Sequence, residues 1–206
     1  VPVSLVALVP SAVVGNVSIP VNSIKELVEK EKAKPGTFQI GISTPTSQVN
    51  VGLLNMMAGT NFTMVPYRGG TTQITGILAG DIPLGMESIN VSLPLWRDNK
   101  LKILGLVSAQ RLSLAPEIPT IAETFPGYDL GIWQSIVAPA GTPREVVTKL
   151  HGSIKKVLAM PEVREKLAAA GIEPASSDSP EEFVAFIRSQ ADVRAKVIQA
   201  VGIKID

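Results

Sequence analysis

Two short stretches carry the residues best suited to chemistry: Gly41-Ile-Ser-Thr-Pro-Thr-Ser-Gln48 and Val65-Pro-Tyr-Arg-Gly-Gly-Thr-Thr72. Each follows a short apolar run and precedes apolar residues at helical spacing. They therefore fall at strand-to-helix junctions, where free backbone N–H groups and the helix dipole can hold an anion. In the first junction Ser43, Thr44, Thr46, Ser47 and Gln48 offer hydroxyl, amide and N–H groups to a carboxylate. In the second, Gly69 and Gly70 let backbone approach a ligand without a Cβ in the way, and Thr71 follows them. Tyr67 can stack on a ligand or hydrogen-bond it. Glu87 and Ser88 come after the apolar run Ile82–Met86, aimed at the same crevice.

Each of these residues also has a plainer reading. Helices begin with Ser or Thr whatever they bind, so the hydroxyls of 43–47 serve equally as caps. A Tyr at a strand end is commonly edge-of-core packing, and Arg68 reads as a solvated side chain. Glu87 can receive an amino group or cap the turn near Asn90; facing a carboxylate with no cation nearby, it would repel the ligand or rise in pKa. The lone histidine, His151, has no Asp, Glu or Cys partners at metal-ligand spacing. Trp96 and Trp133 read as packing residues, and Met56, Met57 and Met64 as gap fillers. No nucleophile elbow, Walker lysine or dinucleotide fingerprint occurs. A hydrolase reading, with Ser43 or Ser47 as nucleophile and His151 as base, requires groups from distant parts of the chain to meet.

Composition narrows the class. With 45% hydrophobic and 18% charged residues among 206, the chain is globular, neither disordered nor built to span a membrane. A net charge of +1 without a basic stripe excludes a nucleic-acid surface. Zero cysteines excludes disulfides, thiolate metal sites and cysteine nucleophiles. The apolar opening, residues 1–14, is interrupted by Pro2 and Pro10 and lacks the basic start and cleavage motif of a signal peptide. The pattern calls for no cofactor and no metal.

The elements that must position these residues alternate. Strands are expected over Val3–Val9, Ala12–Val14, Phe38–Ile42, Phe62–Val65, Ile82–Met86 and Leu101–Val107. Helices are expected over Ile24–Lys34 behind the cap Ser23-Ile-Lys-Glu26, then over Val49–Met57, Thr71–Leu78 and Leu93–Trp96. This order predicts a mostly parallel sheet covered on both faces, with ligands outside the carboxyl ends of its strands. Residues 109–130, rich in proline, read as an ordered connection. A strand at Gly131–Val137 follows, then helices capped by Thr142 with Pro143, near Glu162–Ala169, and from Ser179. Ile203–Ile205 reads as a possible sheet edge.

An ordered set of motifs then resembles a known family. It includes Pro2-Val-Ser-Leu-Val-Ala7, Lys34-Pro-Gly36, Met57-Ala-Gly59, Val65-Pro-Tyr-Arg-Gly69, Ser108-Ala-Gln-Arg111, Pro119-Thr-Ile-Ala-Glu123, Trp133, Ala138-Pro-Ala-Gly-Thr-Pro143 and Gly202-Ile-Lys-Ile-Asp206. Together they are similar to the receptors of the tripartite tricarboxylate transporters, also called Bug proteins. The resemblance implies an α/β, type II periplasmic-binding-protein fold that closes like a Venus flytrap on a small carboxylate: a tricarboxylate, dicarboxylate, acidic amino acid or aromatic acid. It implies a periplasmic, non-enzymatic receptor that in some cases hands its ligand to a membrane component.

The family carries a long segment before the Pro-Val-Ser-Leu-Val motif, whereas this chain begins at that motif. The resemblance therefore implies that residues 1–108 are the complete second lobe with its hinge strands, 109–130 the connection, and 131–206 the carboxyl-terminal portion of the first lobe. First-lobe helices left uncovered in this way would expose apolar surface and favour self-association. The 43–48 junction also departs from the family, being about two residues shorter; Pro45 and Gln48 stand near glycine and histidine positions there. The same two-lobed fold serves in ligand-sensing effector proteins, but no helix-turn-helix head is present among these residues.

Overall fold

The structure, a computed structural model, describes residues 1–202; the expected edge at Ile203–Ile205 lies outside them. Two sheets form from eight strands. The larger contains β2 (Ser11–Asn16), β3 (Gln39–Ile42), β4 (Thr63–Pro66), β5 (Leu84–Ser88) and β6 (Leu101–Leu106), in the order β4-β3-β5-β2-β6. β3 is parallel to β4 and β5, while β2 is antiparallel to both β5 and β6. Four of the five strands point one way and β2 the other, so two of the four pairings are antiparallel and the sheet is mixed rather than mostly parallel as expected from the alternation. β2 follows β1 (Pro2–Val9), a strand of the other sheet, after the single residue Pro10.

Both faces of this sheet are covered, as the branched, apolar strands require. Along β2, Val13 packs in one core with Ile24, Leu27, Val49 and Leu54, while Ala12 and Val14 pack in the other with Ile74, Ile77, Ile89 and Leu93. The period-2 alternation of a strand thus divides α1 (Ile24–Ala33) and α2 (Pro45–Ala58) from α3 (Gly70–Ala79) and α4 (Ile89–Arg97). Gly85 makes the close approach of α3 to the sheet achievable: a Cβ there would lie 2.4 Å from Gln73 Nε2 and 2.6 Å from Ile77 Cδ1.

The smaller sheet is antiparallel, with β1 between β7 (Ile132–Val137) and the two-residue β8 (Glu173–Pro174). Against it lie α5 (Arg144–Leu158), α6 (Pro161–Ala169) and α7 (Pro180–Val201), whose Phe183 and Phe186 meet Trp133 edge to face. Residues 109–130 bury Leu112, Ile118, Ile121, Tyr128 and Leu130. The outer side of β7, α5 and α6 leaves Ile136, Val137, Val146, Leu150, Val157 and Met160 exposed, Val137 at 65%.

The caps show which local signals are obeyed. Ser23 accepts from the Glu26 amide and Ser179 from the Glu182 amide, as expected. The glutamates do not close the box, because their carboxylates take the amides of Asn22 and Asp178 instead. The expected cap at Thr142 is not formed. Its hydroxyl donates to Pro139 O at 2.9 Å within the preceding turn, and Pro143 takes the N-cap position with no side-chain bond. Two further expectations are corrected: residues 45–48 belong to the first turn of α2, and 87–91 are the end of β5 and the start of α4 rather than a loop.

Candidate functional site

The ends of β3, β4 and β5 lie on one edge of the sheet because these strands are parallel. Ser43–Gln48, Tyr67–Thr71 and Glu87–Ser88 are consequently brought to that edge, although they are well separated in sequence. The first crossing, at Pro10, and the end of β6 reach it too: Ile89 N donates to Pro10 O and Val107 N to Ser11 O, at 2.9 and 2.7 Å.

The two principal corners differ in what they can offer. At the α2 corner Thr44 is the N-cap, accepting from Ser47 N at 3.0 Å. Ser47 Oγ accepts from the amides of Ser43 and Thr44 and donates to Thr44 O. That side chain is 4% exposed, so its hydroxyl is spent on the cap. Pro45 has no N–H, and the Gln48 amide bonds Thr44 O. Among the described residues nothing accepts from the Thr46 amide, the one left free in this turn. The plainer reading of Ser47 and Thr44 is therefore the one the geometry carries.

Replacing Ser47 with alanine removes the acceptor of two amides at a part-buried turn. We expect a loss of about 0.5–2 kcal/mol in urea denaturation, with ligand affinity nearly unchanged. A variant as stable as wild type would mean that those amides find other partners.

At the α3 corner the balance is reversed. Gly69 is the N-cap with extended backbone and no side-chain bond, and the amides of Gly70, Thr71 and Thr72 have no acceptor among the described residues. Thr72 Oγ1 turns back to Gly69 O at 2.8 Å. Three free N–H groups at the positive end of a helix are the strongest anion-binding feature on this edge. α4 also begins here, but its Ile89 amide is already bonded to Pro10 O, and Gly171 packs against Asn90.

Tyr67 lies over its own unit, its ring against Gly41 and its hydroxyl against Gly76. Packing is thus its first role. Glu87 is 7% exposed, and Ser88 N donates to its Oε1 at 2.8 Å. Its Oε2 is buried without a partner, 2.6 Å from where a Cβ on Gly70 would be. Burial pushes the Glu87 pKa up, and the Ser88 amide only partly opposes this. Gln73, beneath the same corner, donates to Met86 O at 3.2 Å while its Oε1 has no partner.

Beside the α2 corner a hollow of about 280 Å³ is lined by Thr46, Ile132, Trp133, Ile187, Gln190 and Arg194, among others. Arg194 is occupied there, its guanidinium donating to Gly131 O and Gln190 O. Trp133 and Arg194 are candidates that sequence reasoning missed or read as packing; a strand tryptophan opposite a helix arginine gives no periodic signal. Buried Asn50, with neither side-chain polar atom partnered, and Gln73 were also missed. Their signal was a polar residue on a core-facing helical position. His151 lies apart from the serines, its Nε2 3.0 Å from Ser177 O, so the serine–histidine arrangement of a hydrolase is not assembled.

This is the arrangement of a solute-binding protein: a periplasmic-binding-protein fold with helix N-termini opening on a strand edge. The chain belongs to the tripartite tricarboxylate transporter family receptors, whose family model matches residues 1–203. It is 30% identical over 202 residues to a UPF0065 protein from the tcbD-tcbE intergenic region of Pseudomonas sp. strain P51, covering 96% of this chain and 60% of that protein. Among solved structures, R. palustris Rpa4515 with adipate superposes with a TM-score of 0.79 at 29% identity, covering 98% of this chain and 68% of that one. The periplasmic binding protein BugD gives 0.75 at 27%, covering 98% and 69%. The chain thus spans well under two thirds of the Pseudomonas relative. Members of this family are solute-binding receptors rather than enzymes. Among the described residues, no helix is long and apolar enough to cross a membrane.

Proposed function

We propose that this chain contributes the greater part of a periplasmic receptor for a small organic acid, with a carboxylate held at the N-terminus of α3 and a second contact at Thr46. The observation that carries this reading is the set of three unpartnered amides at Gly70–Thr72, uncapped by any side chain. Adipate in the solved relative Rpa4515 supports a dicarboxylate as the ligand class. In this reading residues 1–108 are one lobe, 109–130 the connection and 131–206 part of the other. Capture supplies a membrane component of a tripartite transporter, and the exposed apolar side of β7, α5 and α6 favours self-association of the isolated chain.

The test is an NMR titration of the purified chain with adipate and citrate, which registers binding even at millimolar dissociation constants. The amide resonances of Thr46 and Gly70–Thr72 are expected to shift together and to saturate. Shifts confined to other residues, or none up to saturating acid, would remove the reading.

A further inference from the structure

We propose that Glu87 takes up one proton from solvent when a carboxylate is seated at the α3 N-terminus, so that the site binds its guest together with a proton. This inference rests on the carboxylate-receptor reading and adds to it how the site tolerates a second acid group.

Three observations carry it. First, the Glu87 carboxyl lies against the first residue of α3, beside the anion-binding amides, without bonding them. Its Oε2 lies 2.6 Å from a Cβ position on Gly70, the first residue of α3. Second, that oxygen is buried and has no donor, whereas Oε1 has the Ser88 amide. A buried carboxylate oxygen without a hydrogen bond is costly, and a proton supplies the hydrogen it lacks.

Third, among the described residues no buried cation stands beside Glu87 to offset two negative charges. β2, β3, β4, α2 and α3 contain no charged residue at all, and Glu87 is the only one on β5. Arg68, in the turn before α3, is exposed to solvent. Arg97, at the far end of α4, donates to Leu114 O, and Lys102 at the start of β6 donates to Ile19 O and Val21 O. Across from Asn90, beyond the Gly171 turn, the Glu173 carboxylate is held by Ser113. A guest carboxylate beside ionised Glu87 would thus face like charge in a poorly solvated corner.

The alternative of an ammonium-bearing ligand pairing with ionised Glu87 is less favoured, because Oε2 is closed off from the surface where such a group would arrive. It is a separable outcome below.

The experiment is titration of the wild-type chain and E87Q with adipate between about pH 6 and 8, where ordinary carboxylic acids are ionised. Affinities are read by NMR, and proton uptake by calorimetry in two buffers of different ionisation enthalpy. Wild type should bind about tenfold more weakly per pH unit and take up close to one proton, as one-proton linkage requires. E87Q should bind with no proton uptake and a nearly flat pH profile. Binding of adipate with equal pH profiles in the two proteins overturns the inference and leaves the receptor reading standing. So does a preference for aspartate that E87Q abolishes, which assigns Glu87 to an ammonium group. Absence of adipate and citrate binding to either protein at any pH overturns the receptor reading and this inference with it.

A second readout is independent of ligand. Below the ordinary value of 4.5 the Glu87 carboxyl is neutral in both folded and unfolded chains. Above its raised folded value the ionised form bears the burial penalty. Wild type therefore loses stability relative to E87Q as pH rises through that interval. A thermal-melt difference between the two that is constant with pH also counts against the inference.

Discussion

Replacing Tyr128 with alanine lowers stability by about 3–5 kcal/mol, the range of large aromatic truncations in packed cores. The ring is fully buried in the core between the larger sheet and α1 and α2, together with Leu130 and Phe62. Its hydroxyl donates to Asn50 O at 2.7 Å, which pins segment 109–130 to α2. Burial also pushes the phenol pKa up, which keeps the hydroxyl a donor beyond the ordinary tyrosine range. Y128F keeps the ring and loses the bond, so it should cost only about 1 kcal/mol. Urea denaturation of the pair separates packing from hydrogen bonding. A Y128A variant within about 1 kcal/mol of wild type would show that the cavity collapses and that the segment is not anchored there.

The second large effect is expected at Gly171. Its φ of +71° lies in the left-handed region, and a Cβ there would come within 2.8 Å of Asn90 Cα. Backbone cannot step aside as a side-chain tip can. Gly171→Val thus combines left-handed strain of about 1–2 kcal/mol with overpacking of about 1–3 kcal/mol. The contact joins the turn after α6 to the first turn of α4, so the variant should loosen the two sheets as well as destabilise them. Gly127→Ala is the control: its φ is +90°, but nothing lies within 4 Å of the added carbon. A loss of about 1–2 kcal/mol there, against a distinctly larger loss at 171, isolates the steric part. Equal losses would assign the whole effect to φ.

Local grammar was legible where a single segment decides the outcome. The caps at Ser23 and Ser179, the stops at Gly59 and Gly80 and the strand Leu101–Leu106 all depend on neighbours in sequence. The grouping of Ser43–Gln48, Tyr67–Thr71 and Glu87–Ser88 was also legible, because consecutive parallel strands place their ends on one edge. What each group spends its hydrogen bonds on was not. Four hydroxyl residues in 43–47 are equivalent as letters, yet only geometry makes Ser47 a double acceptor and leaves the Thr46 amide free. Thr142 shows the same limit from the other side, since the turn at Pro139 claimed its hydroxyl. The approach of Glu87 to Gly70 depends on the seating of α3 over Gly85, which no local pattern encodes.

Pro10 has a mechanical consequence. A single residue links β1 to β2, and its ring fixes one of the two backbone torsions available there. Its carbonyl is tied to Ile89, while the adjoining Ser11 carbonyl is tied to Val107. This joint has almost no slack, so any swivel of one sheet against the other must be taken up mainly by the longer return path through residues 107–131. Motion at the cleft should accordingly pivot about the Pro10 side, with the return path describing the wider arc.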